Sequence, residues 1–217
     1  MEITLFWNII FASALSLGFF LALVLFCQYL KTKQPSQLFL GAFVLVFSTI
    51  LLNNFVYWNQ AMQDYPHFIY STVSTRFLLV PLFYCYCKTF LSQGIHKKEG
   101  LHFLPFVVLT LLFLPIIILS GSEKIDLIMA FREGNYPSWS YYSRHLKWVL
   151  SFQLIAYPCW IYYKLSRYLK TQGASINKDK LNQINWLYFF NSLVLLYGVL
   201  MFIYFVLVAW NIGGIEK

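Results

Sequence analysis

Residues 3–30, "ITLFWNIIFASALSLGFFLALVLFCQYL", carry no charged side chain. As a helix this run is about 42 Å long at 1.5 Å per residue, and a bilayer's hydrocarbon core is about 30 Å thick. Five more runs of the same kind follow. Hydrophobic residues make up 59% of the 217-residue chain and charged residues only 11%. No single water-soluble core of this size hides that much apolar surface, so the solvent is lipid. Backbone polar groups in lipid must be paired internally, which leaves helices or a closed barrel. Barrel strands alternate over about 10 residues, whereas these runs are continuous and longer. The expected fold is therefore all-α. It is a multi-pass transmembrane bundle forming one domain over 1–217, with six spans near 5–30, 37–58, 69–91, 101–119, 145–165 and 183–208. The fifth is short between Lys147 and Lys164, both of which can snorkel.

Charge sets the expected direction. With the N-terminus outside, the inner connections hold Lys31, Lys33, Lys88, Lys97, Lys98, Lys164, Arg167, Lys170, Lys178 and Lys180. Arg76, Lys124, Arg132, Arg144, Lys147 and Lys217 fall outside, and most acidic residues fall outside too. Cytoplasmic loops collect Lys and Arg, so this orientation is the expected one. Trp7, Trp58, Trp139, Trp148 and Trp210 fall at the outer boundary, as an aromatic belt does. The start Met-Glu-Ile-Thr lacks the positive n-region of a signal peptide, so the first run reads as a retained helix. Six spans return the end, "NIGGIEK", to the outside. Two connections are long. The outer one, 120–144, contains "IDLIMAF", which reads either as a short amphipathic piece on the membrane surface or as part of a solvated loop. The inner one, 166–182, reads as a solvated basic loop.

The net charge of +8 is spread over short connections. It forms no compact groove-reading element, so no nucleic acid is expected to bind through this chain. Cys27, Cys85, Cys87 and Cys159 lie in apolar runs, and Cys85 and Cys87 point to nearly opposite sides of a helix. No metal site and no cofactor follow from them. His67, His96, His102 and His145 fall on both sides of the membrane. No Asp or Glu lies inside a span, and no nucleophile sits beside a base, so no catalytic residues are assigned and the chain is not read as an enzyme.

Other residues mark packing or binding. Ala14, Gly18 and Ala22 form a small-residue stripe that lets another helix approach, within the chain or across a homodimer. Pro81 and Pro158 are expected to kink the third and fifth spans. Asn53 and Asn54, Arg76, Gln153 and Tyr157 fall at comparable depth in the outer half, where together they would line an outward pocket. Arg76 has two readings. It snorkels to the interface and pairs with lipid phosphate or Asp64, or it faces the bundle beside Asn54 and Gln153 and receives an anionic or carbonyl-bearing signal.

Three stretches resemble a known family. "TRFLLVPLFYCYCKTFL" (75–91), "LHFLPFVV" (101–108) and "KLNQINWLYFFNSLVLLYGVL" (180–200) resemble helices in the membrane half of bacterial AraC-type transcription regulators. Val80 stands where that family has glycine before the proline. The resemblance implies a sensory, signal-transducing domain in the bacterial inner membrane. Its partners would be the bilayer and an unidentified small-molecule or membrane signal. The DNA-binding half of the family is not in this sequence, which implies a truncated piece or a stand-alone relative. A small transporter and a stand-alone membrane-binding protein are the alternatives.

Overall fold

A computed structural model describes residues 2–59, 61–68, 70–132, 138–172 and 176–209. Of residues 2–5, 131–132, 138–145 and 209 it describes the backbone alone. The sequence readings that rest on the side chains of Trp139, Arg144 and His145, and on 210–217, lie outside the described residues. Seven α-helices occur among the described residues: α1 Glu2–Thr32, α2 Pro35–Trp58, α3 Leu79–Phe90, α4 Leu104–Ile117, α5 Gly121–Arg132, α6 Ser138–Gln172 and α7 Lys178–Ala209. Short 3-10 turns span Pro66–Phe68, Thr75–Leu78 and Lys97–Phe103. The chain divides into two compact units, Met1–Tyr136 and Pro137–Lys217.

In the first unit, α1 and α2 form an antiparallel pair. Lys33 closes their turn with a positive φ of 57° and donates its N–H to the Tyr29 carbonyl at 2.8 Å. Pro35 then opens α2 at a position where a missing N–H costs nothing. Small residues set the contact. A Cβ on Gly18 would run into the Ser48 side chain, and one on Gly41 would lie 3.2 Å from the Phe26 ring. Ala22 is buried, while Ala14 is exposed. The expected stripe thus packs within the chain over its second half only. Trp7 and Trp58 sit exposed at the same end of this pair, because α1 starts where α2 stops.

The third helix runs back beside α2. Phe83 meets Phe43 of α2 at 5.7 Å between ring centres, and Asn53, farther along α2, reaches back to Phe68. The fourth helix is tied to this segment through the turns at either end of α3: Tyr84 of α3 packs against His102 of the Lys97–Phe103 turn, and Tyr70, ahead of α3, against Phe113 of α4. Residues Val80, Pro81, Leu82, Phe83, Tyr84, Cys85 and Cys87 are all buried, so α3 is sheltered on nearly every side. In the second unit α6 and α7 form an antiparallel hairpin, with Trp148 on Phe202 and Tyr162 on Tyr188.

Among the described residues, four helical stretches are long and apolar enough to cross a membrane: Phe6–Thr32, Pro35–Trp58, Lys97–Ile117 and Lys178–Val208. Six were expected. The third expected span, 69–91, is not a continuous helix. Residues 70–74 are turns, Tyr70 has a φ of 60°, and a 3-10 turn precedes the 12-residue α3. The cause lies in "STVST". The Ser71 hydroxyl donates to the Phe68 carbonyl at 2.8 Å and the Thr75 hydroxyl to Thr72 at 2.9 Å. Such hydroxyls offer the backbone local partners that compete with a helical ladder. The segment is uncharged, so charge spacing could not show the break. The fifth expected span, 145–165, lies within the 35-residue α6. It is long enough but not apolar enough, because Gln153, Pro158 and several Tyr and Trp residues dilute its aliphatic content. Elsewhere the exposed surface is what a bilayer would cover. Leu17, Phe20, Leu111, Leu112, Phe152 and Phe189 are all more than 60% exposed. These features are compatible with a membrane protein.

Residues 121–132, left open between a surface helix and a loop, form α5. "SGSE" opens it as a capping box. The Ser120 N–H and hydroxyl both donate to Glu123 Oε2, at 2.8 and 2.7 Å, and the Glu123 N–H reaches the Ser120 hydroxyl at 3.4 Å. The Ser120 hydroxyl, then its N–H, hold the Glu123 carboxyl below the usual range.

Candidate functional site

The expected site residues fall into both units. Asn53, Asn54 and Arg76 belong to the first, and Gln153 and Tyr157 to the second. Asn53 is buried on α2, and its amide donates to the Phe68 carbonyl at 2.6 Å. That bond ties the Pro66–Phe68 turn to the end of α2, so the Asn53 side-chain N–H is already used by the fold. Asn54, next on α2, is half-buried.

Arg76 lies in the 3-10 turn before α3, not within a continuous third helix. This turn packs between α2 and α4. Its backbone N–H bonds to the Thr72 carbonyl at 3.3 Å. Its side chain is half-buried, and the guanidinium Nε is fully covered with no hydrogen-bond partner. Asp64 is exposed, and among the described residues it makes no ion pair with Arg76. A guanidinium brings five donors in a planar fork suited to carboxylate or phosphate oxygens. A covered, unpaired donor of this kind is energetically costly.

At the other end of α3 stands a polar cluster that sequence reasoning missed. Lys88 Nζ pairs with Glu99 Oε1, and His102 Nε2 lies 3.1 Å from Glu99 Oε2. The Lys88 and Glu99 side chains are only 9% and 13% exposed. The His102 ring also packs edge-on against Tyr84 of α3, with ring centres 5.0 Å apart. The carboxylate therefore holds the end of α3, through Lys88, to the Lys97–Phe103 turn that leads into α4, and His102 braces it from within that turn. The spacing of Glu99 and His102, one helical turn apart, was the available signal.

Lys124, which the sequence placed only in an outer connection, is covered. It is 1% exposed, donates to the Ile117 carbonyl at 2.8 Å, and lies 3.4 Å from His67 Nδ1. An ammonium at the end of α4 meets the negative end of that helix's dipole. It fastens α5 and the Pro66–Phe68 turn to the end of α4.

In the second unit Gln153 is buried and Tyr157 half-buried, one turn apart on α6. Pro158 follows inside the same helix. Proline has no N–H to give, so the Leu154 carbonyl loses its helical donor. The seventh helix meets α6 there. Asn191 donates to the Pro158 carbonyl at 3.0 Å, and Gly198 approaches so closely that a Cβ would sit 2.8 Å from the Leu154 oxygen. Pro81, by contrast, lies in the first turn of α3, where the 3-10 turn passes into the α-helix. All four cysteines are free thiols, with Cys85 and Cys87 buried.

Comparison with protein-family models, with curated proteins and with solved structures finds no match.

Proposed function

We propose that the chain is a multi-pass sensory domain of the bacterial inner membrane, akin to the membrane half of the AraC-type regulators that its sequence resembles. One observation carries this reading. A short, almost wholly buried helix, α3, has Arg76 at its start and the Lys88–Glu99–His102 cluster at its end. An anionic or carbonyl-bearing signal that engages the uncommitted guanidinium bears on the 75–78 turn. The turn is continuous with α3, and α3 is continuous with Lys88. A ligand shifts such an arrangement only through different affinities for two states. Displacement of α3 against the Lys97–Phe103 turn supplies those states, because Glu99 of that turn meets α3 at its end, through Lys88.

The reading includes a topology with the N-terminus outside. The turn and α3 together rise about 26 Å, at about 2.0 and 1.5 Å per residue. Irregular backbone is tolerated at membrane depth when protein covers it. In this arrangement α3 lies in the bilayer beside α2 and α4. Single cysteines placed at Met62 and Asp126 should then react with an impermeant reagent added outside, and one at Lys97 should not. Reaction at residue 97 and protection at 126 would overturn this topology: with residue 62 still reactive only the four long apolar stretches cross, and with residue 62 protected the orientation is reversed.

The signal is tested by thermal shift of the purified chain in micelles, with small carboxylates and phosphate esters as probes. At least one class should raise the melting temperature of the wild type and leave Arg76→Ala unmoved, while Arg76→Lys keeps part of the effect. Equal shifts in wild type and Arg76→Ala would remove Arg76 from the site. Solute flux through vesicles containing the chain would favour a transporter instead.

A further inference from the structure

One end of the α6–α7 hairpin concentrates positive charge. Between residues 164 and 180 the sequence has Lys164, Arg167, Lys170, Lys178 and Lys180, against the single acid Asp179. Arg167, Lys170 and Lys178 are exposed and Lys164 half-exposed. Among the described residues, no carboxylate pairs with Lys164, Arg167, Lys170 or Lys178. Lys178 and Lys180 stand in the first turn of α7, the positive end of its dipole, where helix physics alone disfavours cations. Lys178 there is exposed and pairs with no carboxylate among the described residues, so it is available to an external anion.

The surroundings say what kind. Ser166 bonds to the Tyr188 hydroxyl at 3.0 Å, which sets the register of the two helices. Trp186, 51% exposed, then stands level with Arg167 and Tyr168. On the far side of that level the exposed surface turns apolar, with Phe189, Leu193 and Leu196 on α7. Trp160 and Tyr163 extend it on α6, and Lys164 lies over the Trp160 ring at 5.8 Å. Arg167, Lys170, Lys178 and Lys180 thus sit at or beyond an exposed aromatic line, Lys164 lies one turn behind it over Trp160, and apolar side chains follow. That order matches the section of a bilayer, in which headgroup, interface and hydrocarbon succeed one another. A nucleic acid would meet the cations but leave the adjoining aliphatic surface uncovered.

We propose that this end of the α6–α7 hairpin is a docking surface for anionic phospholipid headgroups. Lys164 and Arg167 take phosphates at the interface, and Lys170, Lys178 and Lys180 face the layer just above it. The inference rests on the bilayer position of α7 and not on the sensory reading.

The test uses the full chain in nanodiscs made from equal parts of phosphatidylglycerol and phosphatidylcholine. Lipids retained on release are counted by native mass spectrometry. The wild type should retain phosphatidylglycerol preferentially, and the preference should shrink as salt rises. Replacing all five cations with Gln should cut it about tenfold or more, since even two cations contributing about fivefold each near an anionic surface give about 25-fold. Replacing the four lysines with Arg should keep it. Retention by the Gln variant equal to the wild type would overturn the proposal. So would an equal loss on neutralising Lys31, Lys33, Lys97 and Lys98 instead, because the preference would then be a general property of the basic ends. Salt-resistant binding of a DNA or RNA duplex through the same five residues, with no lipid preference, would reassign the surface to nucleic acid.

Discussion

Gly198→Ala should destabilise the chain, although alanine is the better helix former by about 1 kcal/mol. The reason is the opposing backbone. A Cβ there would lie 2.8 Å from the Leu154 oxygen and 2.9 Å from its carbonyl carbon, and backbone cannot swing aside as a side-chain tip can. Forcing the extra methyl in costs about 1–3 kcal/mol, which outweighs the propensity gain. Gly198→Leu should cost about 3 kcal/mol or more and separate the two helices, because the Asn191 bond to the Pro158 carbonyl stretches with them. The measurement is unfolding of the full chain in micelles, followed by circular dichroism. Gly100 supplies the control, since a Cβ there meets nothing within 4 Å. Gly100→Ala should leave stability unchanged or slightly raised. A Gly198→Ala variant as stable as the wild type would show that α7 does not approach α6 at the proline-broken turn.

The second large effect belongs to Lys88 and Glu99. Removing one member of a covered ion pair leaves the other charge without compensation, at about 3–5 kcal/mol, whereas replacing both with apolar groups is often close to neutral. Glu99→Leu also takes the acceptor from His102. We expect Lys88→Met and Glu99→Leu each to be strongly destabilising. The double variant Lys88→Met/Glu99→Leu should recover most of the loss, giving a coupling energy of about 2 kcal/mol or more. The same unfolding measurement gives all four corners of the cycle. Small, additive effects would instead describe a solvated pair worth about 1 kcal/mol or less, and α3 would lose its anchor to α4.

Helix as the only secondary structure among the described residues, and the positions of the four long apolar stretches, were legible in the sequence. Continuous uncharged runs of this length have few other solutions in lipid, and Lys and Arg mark their ends. The closing of α1 onto α2 also follows from local signals, a short basic turn and Pro35. The third segment was not legible by charge. Its break comes from hydroxyls in "STVST" and from the Asn53 bond to Phe68, both invisible to a count of charged residues. Sequence reasoning likewise named Arg76 but placed it inside a helix, and it placed Lys124 in an outer connection with no sign of its burial.

What the sequence determined by itself is the all-helical character and the apolar surface: four stretches are long and apolar enough to cross a membrane, which is compatible with lipid around them. Only the tertiary structure decided which polar groups lie together. Lys88 meets Glu99, which His102 also meets, and Lys124 meets His67 and the Ile117 carbonyl, because α3, α4 and α5 fold back at particular turns. Gly198 finds the carbonyl that Pro158 leaves free for the same kind of reason. These contacts join residues from different helices, and their energies depend on burial that arises only once the helices have packed. A linear pattern records which side chains are present and at what spacing, but not which of them are withdrawn from water side by side.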